Sequence, residues 1–236
     1  MKKIVYRLFI VIFLIISIFI SYFSIFGLTT TKLNNQIGEV VKNIYKDLKI
    51  ELKEIKIILD PFKFQINAKT VGPKFKLKDK TIDIENIKTQ ISINSLFNND
   101  FSIKNLDITT RSLEIKNLVS FSRNLKNIPE LYFLEKVIKK GYLISNITLE
   151  FDDQGKVKEN YKIKGFVKDT KISLFKKNNL HNINFTFVFD SNKFKFENVE
   201  LSLNNIPIQS KKITVKNLNS EFFIEGTLKN KNISLK

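Results

Sequence analysis

The sequence predicts a mainly β protein. A transmembrane helix comes first, a short amphipathic helix second, and an elongated, curved antiparallel β-sheet with a small helical insertion makes up the rest. Three observations predict this. An unbroken apolar run opens the chain, a period of 3.6 follows briefly, and a period of 2 then holds for most of the remainder.

Leu8 to Leu28 are uncharged and mostly apolar. At about 1.5 Å of rise per residue the run spans roughly 30 Å, the thickness of a bilayer's hydrocarbon core. Leu8, Phe13, Ile18, Phe23 and Leu28 mark out this anchor. Lys2, Lys3 and Arg7 lie before it or at its start, so they hold the N-terminus in the cytoplasm and send the rest across. The run exceeds the apolar region of a secretory signal, about 7–15 residues, and Ser24-Ile25-Phe26-Gly27-Leu28-Thr29 offers no small-residue cleavage site. The anchor is therefore expected to be retained. Residues 1–28 form the cytoplasmic tip and anchor, 29–48 an amphipathic linker helix, and 49–236 the β domain.

Leu33, Ile37, Val40, Val41, Ile44, Tyr45 and Leu48 fall at helical spacing after three threonines that suit an N-cap. This stripe is expected to cover the first strands or the open end of the sheet. From Lys49 the period becomes 2. Phe62, Phe64, Ile66 and Ala68 alternate with polar residues between the turn signals Asp60-Pro61 and Gly72-Pro73. Ile82, Ile84, Ile91 and Ile93 continue the alternation, and it resumes over 142–151, 161–167, 185–189, 194–203 and 222–228. Roughly 12 to 15 short strands follow from this count, many joined by hairpin turns such as Asp152-Asp153-Gln154-Gly155 and Asp190-Ser191-Asn192-Lys193. One apolar face and one Lys/Asn/Asp face is the pattern of an antiparallel sheet with one side wet.

The insertion falls at about residues 118–140. Pro129 opens its second helix, Glu130 sits in the first turn, Lys139 and Lys140 in the last, and Gly141 just beyond. This insertion is expected to cap or plug part of the sheet.

A local step recurs seven times: apolar, any residue, asparagine, apolar. Its asparagines are Asn86, Asn105, Asn117, Asn146, Asn182, Asn198 and Asn217. Strict alternation would put the second apolar residue on the wet face. One extra residue, as in a β-bulge, returns it to the apolar face, and asparagine tolerates the backbone geometry this needs. The step thus predicts a sheet that bends repeatedly toward one side.

The formal net charge is +17, yet it comes almost wholly from lysine spread along the chain; the arginines are Arg7, Arg111 and Arg123. Base-edge and phosphate-fork recognition favours arginine, so nucleic acid is not an expected partner, whereas anionic headgroups suit a lysine-rich surface. With no cysteine, a disulfide framework and thiolate metal sites are excluded. His181 is the single histidine and reads as a solvated side chain. Phosphate-loop, dinucleotide, zincin and nucleophile-elbow motifs are missing. Neither catalysis, a cofactor nor a metal is expected.

The chain resembles AsmA-like bacterial envelope proteins. The resemblance rests on the basic start and single anchor, on Gly27-Leu28-Thr29-Thr30-Thr31-Lys32-Leu33-Asn34 leading into the amphipathic helix, and on Leu48-Lys49-Ile50-Glu51-Leu52 opening the first strand. It extends through the alternation of 82–115, Gly141-Tyr142-Leu143 to Phe151-Asp152, and Tyr161-Lys162-Ile163-Lys164-Gly165. It implies a U-shaped β-groove held at the bacterial inner membrane, with the bulk of the chain periplasmic. Membership also implies phospholipid movement between envelope membranes, outer-membrane assembly, and an envelope protein partner. Phe62, Phe64, Ile66, Ile91, Ile93, Phe185, Phe187, Phe189, Phe194, Phe196 and Leu201 would line the groove. About 14 strands at about 4.8 Å give roughly 65 Å of groove, short for such a family. That length, and a strand-like end at Leu235-Lys236, imply a truncated or short member. The alternatives are a non-transporting scaffold for outer-membrane assembly and a lipopolysaccharide-transport-type β-jellyroll.

Overall fold

The computed structural model describes residues 2–32, 34–93, 103–152, 156–174, 178–190, 193–218 and 221–230. Leu33, the central residues of the two hairpin turns named above, and Leu235-Lys236 lie outside them. The chain opens with α1 (Lys2–Ile25), β1 (Leu28–Thr30) and α2 (Asn34–Ile44). It continues with β2 (Leu48–Glu51), β3 (Ile55–Asp60), β4 (Gln65–Val71), β5 (Lys74–Leu77), β6 (Lys80–Ser92), β7 (Ile103–Thr110) and β8 (Leu113–Glu114). The helices α3 (Ile115–Leu125) and α4 (Pro129–Val137) follow. Last come β9 (Ile138–Glu150), β10 (Lys162–Leu174), β11 (Asn178–Asp190), β12 (Lys193–Leu203), β13 (Ile206–Leu218) and β14 (Glu221–Gly226).

All fourteen strands join one antiparallel sheet, within the expected count. Its main path runs β1-β3-β4-β6-β7-β9-β10-β11-β12-β13-β14, and the sheet is not closed. β2, β5 and β8 add no width. They prolong β3, β4 and β7 past a bend, where Gly72 N donates to Glu85 O and Ile84 N to Pro73 O. The stack is therefore eleven strands wide, about 48 Å rather than 65 Å.

Helix α1 is exposed along its apolar length, and the stretch Lys3–Ile25 is long and apolar enough to cross a membrane. Leu8, Phe13, Ile18 and Phe23 lie on it. Leu28 does not: the helix stops at Ile25, the chain turns through Phe26-Gly27, and Leu28 pairs with Ile57 as the first residue of β1. The apolar helix ends earlier than expected because edge pairing takes over.

Helix α2 is shorter than its apolar stripe, since Leu48 already belongs to β2. Asn34 Nδ2 ties its start to the bend by donating to Leu52 O (3.1 Å) and Lys53 O (2.9 Å). Tyr45, just past its end, donates its hydroxyl to Asn124 O (3.0 Å) on α3. Ile37, Val41, Tyr45 and Leu48 are half-buried; Tyr45 and Leu48 pack on the cluster Leu77, Ile82, Ile84, Leu113 and Phe121. A second cluster joins Val119, Val137 and Ile138. Both clusters thus sit at the bent end of the sheet, beneath Tyr45, α3 and α4, as the capping expectation had it; Ile91 on β6 and Val167, Ile183 and Val199 on β10 to β12 are buried outside them.

Pro129 is in the first turn of α4 and Glu130 beside it. Glu135 accepts from both Ser120 Oγ and Arg123 Nη1, locking α4 to α3. The end of α4 differs from expectation. Val137 is its last residue, Lys139 and Lys140 lie in β9, and Gly141 is a strand residue at φ +141. Only glycine fits there, because a Cβ would meet Thr170 Oγ1 at 2.2 Å. Lys139 still serves the helix, donating from Nζ to Lys136 O (2.7 Å).

Candidate functional site

Register places one row of side chains on a single face across ten consecutive strands of the path: Ile55, Thr70, Ile87, Ile108, Ile147, Ile163, Phe189, Phe194, Val215 and Ile224. Nine of these ten are apolar. A neighbouring row reads Leu28, Ile57, Ala68, Thr89, Leu106 and Leu149, and a third Leu59, Ile66, Ile91 and Ile103. On the other side the row Ser145, Gly165, Phe187, Phe196 and Ile213 follows.

The opposite face carries a different row: Lys56, Lys69, Lys88, Asp107, Thr148, Lys162, Asp190, Lys193 and Lys216. Period-2 alternation thus sets an apolar face against a lysine-rich one from β3 to β13, although Ile144, Phe166 and Val188 also lie on the lysine side.

Bulges maintain the segregation. Asn182 and Asn198 adopt φ +52 and +53, and the β11–β12 ladder shifts register at both. The β6–β7 ladder shifts beside Asn86 and beside Asn105. At all four, the apolar residues flanking the step stay on the apolar face. The other three steps do no such thing. Asn117 lies in α3, while Asn146 and Asn217 sit in regular ladder. An unforeseen bulge stands at Asp169, φ +51, where the step reads Val167-Lys168-Asp169-Thr170. Asp169 N donates to Asn184 Oδ1 (2.8 Å) and Asn184 Nδ2 to Asn182 O (3.1 Å), so neighbouring bulges are hydrogen-bonded together.

The expected lining residues divide into groups. Ile66 and Ile91 face each other across β4 and β6, and Ile93 follows, its N–H donating to Phe64 O (3.0 Å). Phe185, Phe187, Phe189, Phe194, Phe196 and Leu201 are half-buried on β11 and β12. Phe185 meets Phe196 edge-on with centroids 5.5 Å apart, and Tyr161 stacks on Phe189 at 5.9 Å. Phe187 spreads over Gly165, where a Cβ would come within 2.8 Å of its ring. Phe62 and Phe64 are not on the face. They occupy the turn before β4, 97% and 64% exposed, because Asp60 Oδ1 accepts from Lys63 N (3.1 Å) and delays the strand to Gln65. Sequence reasoning missed Ile108, Ile147 and Ile163, the bridge between the groups; their i, i+2 alternation was the available signal.

Burial distinguishes the two ends of this face. Leu77, Ile82 and Ile84 at the bend are buried, whereas Ile108, Ile147, Ile163, Phe189, Phe194 and Val215 remain half-buried. Among the described residues, no helix or second sheet packs over Phe187, Phe189, Phe194 and Phe196. His181, on β11, shares a hydrogen bond between Nε2 and Asn205 Oδ1 (3.1 Å). Among the described residues no group of three metal-ligating side chains converges.

An open antiparallel sheet, apolar on one face and lysine-rich on the other, following a helix of membrane-spanning length, defines the structural class. No protein-family model matches the chain, and no curated protein is significantly similar to it.

Proposed function

We propose that this chain is a single-pass envelope protein of the AsmA-like kind that carries phospholipid acyl chains along its apolar β-face. The N-terminus would be cytoplasmic and the sheet periplasmic at a bacterial inner membrane. The observation that carries the reading is the ten-strand apolar row, half-buried over its middle and uncovered beyond the helical cap. Water bears against that surface unless something apolar lies on it, and each acyl methylene laid there gains about 0.8 kcal/mol. The sheet grows strand by strand away from β1, the edge continuous with α1, which supports a path leading away from the membrane. At the far edge, β14 continues the row with Ile224, 73% exposed, and leaves room for an envelope protein partner. The near-sequential strand order speaks against the two-sheet jellyroll reading, which needs Greek-key crossovers.

Photocrosslinking side chains at Ile163, Phe187 and Phe196, in the full chain in membranes, should capture phospholipid. Their polar-face neighbours Lys164 and Lys195 should not. Capture confined to the lysine face refutes the groove, and a packed, lipid-free face favours the scaffold reading.

A further inference from the structure

The lysine face holds a second feature, at the edge nearest the anchor. Thr29, Lys53, Lys56, Lys69, Gly72 and Arg111 line an open cleft of about 650 Å³, a size common among small-ligand sites, about 300–1,000 Å³. Lys56 and Lys69 are direct cross-strand partners, and Lys69 is in turn opposite Lys88. Like charges so placed repel. Farther along the same row the sheet supplies counter-charge, Asp107 opposite Lys88 and Asp190 between Lys162 and Lys193. At the cleft it supplies only Glu54 against Lys53, Lys56, Lys69 and Arg111. These four cations are exposed, and no ion pair joins any of them to a carboxylate of the described residues. The Arg111 guanidinium lies over Gly72, with Nη2 3.6 Å from where a Cβ would stand, so its fork opens on the cleft.

Placement names the occupant. Thr29 follows the last residue of α1 by four positions, at most about 14 Å of chain. If α1 spans a bilayer, the cleft lies against the headgroup layer. We propose that it binds the phosphate of an anionic phospholipid in the leaflet from which β1 emerges, Arg111 engaging the phosphate oxygens and Lys53, Lys56 and Lys69 neutralising charge. The site is on the face opposite the apolar rows. It fixes the tilt of the sheet on the membrane and stands whether or not the groove carries lipid; it rests only on α1 as a membrane span.

The test places a photocrosslinking side chain at Val71, which lines the same cleft, in the full chain in nanodiscs. Phosphatidylglycerol in a phosphatidylcholine disc should be captured in excess of its mole fraction. The variant Lys56→Gln/Lys69→Gln/Arg111→Gln should lower that capture about a hundredfold, at roughly fivefold per cation. The control Lys162→Gln/Lys193→Gln/Lys216→Gln removes equal charge from the distal part of the lysine face and should leave it unchanged. Lys56→Arg/Lys69→Arg should retain it. Equal losses in both triple variants reduce the effect to net charge and overturn the site. Displacement by inorganic phosphate at the phospholipid's own concentration assigns the cleft to free phosphate and overturns the lipid. Release of the chain from membranes by alkaline carbonate refutes the span, and the site with it.

Discussion

Asn198 tests whether bulges keep the apolar face continuous. Its φ of +53 costs an ordinary L-residue about 1–2 kcal/mol and a β-branched residue the most, while glycine adopts it freely. The side chain is exposed, so substitution probes the backbone rather than packing. Asn198→Gly should stay within about 1 kcal/mol of the parent, whereas Asn198→Val should lose about 2 kcal/mol. Inserting one alanine after Asn198 goes further. The bulge absorbs one extra residue, so a second would turn Val199, Leu201 and Leu203 to the lysine face. Val199 is 7% exposed and the two leucines half-buried. At about 2 kcal/mol for one fully buried side chain and half of that for each of the others, the loss is roughly 4 kcal/mol. At about 2–4 °C per kcal/mol for a domain of this size, Asn198→Val should lower the apparent melting midpoint by about 4–8 °C and the insertion by about 8–16 °C. Circular dichroism of the full chain in detergent, at a fixed scan rate, reads both. Equal midpoints for valine and glycine would show an extended Asn198. An insertion as mild as Asn198→Gly would refute the bulge as the keeper of the face.

Gly165→Ala should destabilise, because its Cβ would meet Ile144 O and the Phe187 ring; Phe187→Ala in the same chain should recover part of the loss, and a double-mutant cycle measures the coupling. Leu77→Ala should cost about 2–5 kcal/mol while Phe62→Ala costs almost nothing, since Leu77 is fully buried and Phe62 stands in the turn; denaturant unfolding separates them. The Lys195 ammonium hydrogen-bonded to Glu197 holds its carboxyl below the ordinary glutamate range, with the Lys212 charge adding to the effect. A depressed folded value means that any stabilisation from Glu197 is present above the ordinary glutamate pKa and lost as pH falls through the folded value. NMR titration should find Glu197 low in the parent and returned upward in Lys195→Met.

Alternation was legible because a one-sided sheet leaves its period in the chain, and the helix stripe and Pro129 were legible for the same local reason. The asparagine step was less reliable, and its failures have distinct causes. Apolar residues three apart also suit a helix, which is how Ile115 and Leu118 came to lie in α3. Around Asn146 it is Ser145 that faces inward, buried opposite Gly165 with Thr110 Oγ1 accepting from its N–H (2.8 Å), so Ile144 stays on the lysine face beside Phe166. Asp169 escaped because the step was sought with asparagine only, although aspartate tolerates the same φ. Phe62 and Phe64 alternate as a strand would, yet the side chain of Asp60 makes a turn of them. The cleft at Arg111 had no local trace at all, since its cations come from separate strands and converge only through register.

Register and burial together describe this apolar surface. A sandwich core needs a second layer along its whole length, about 10 Å above the first. Here Tyr45, α3 and α4 supply one over the bend, and there Leu77, Ile82, Ile84 and Phe121 reach full burial. Three to five strands further on, the same face holds Ile163, Phe187, Phe189, Phe194 and Phe196 at half burial, shielded by one another rather than by a layer. Extending the helical cap over them would bury the face as an ordinary core. The chain instead places α3 and α4 between β8 and β9, where they cover one end, and then runs β9 through β13 as long strands with bulges that keep every row facing the same way. Bulges on β10, β11 and β12 stand beside one another, so the strands turn together and the rows stay aligned. Aligned rows serve any sheet with one apolar face; with a second layer over one end alone, they also suit the acyl chains proposed to lie across the strands.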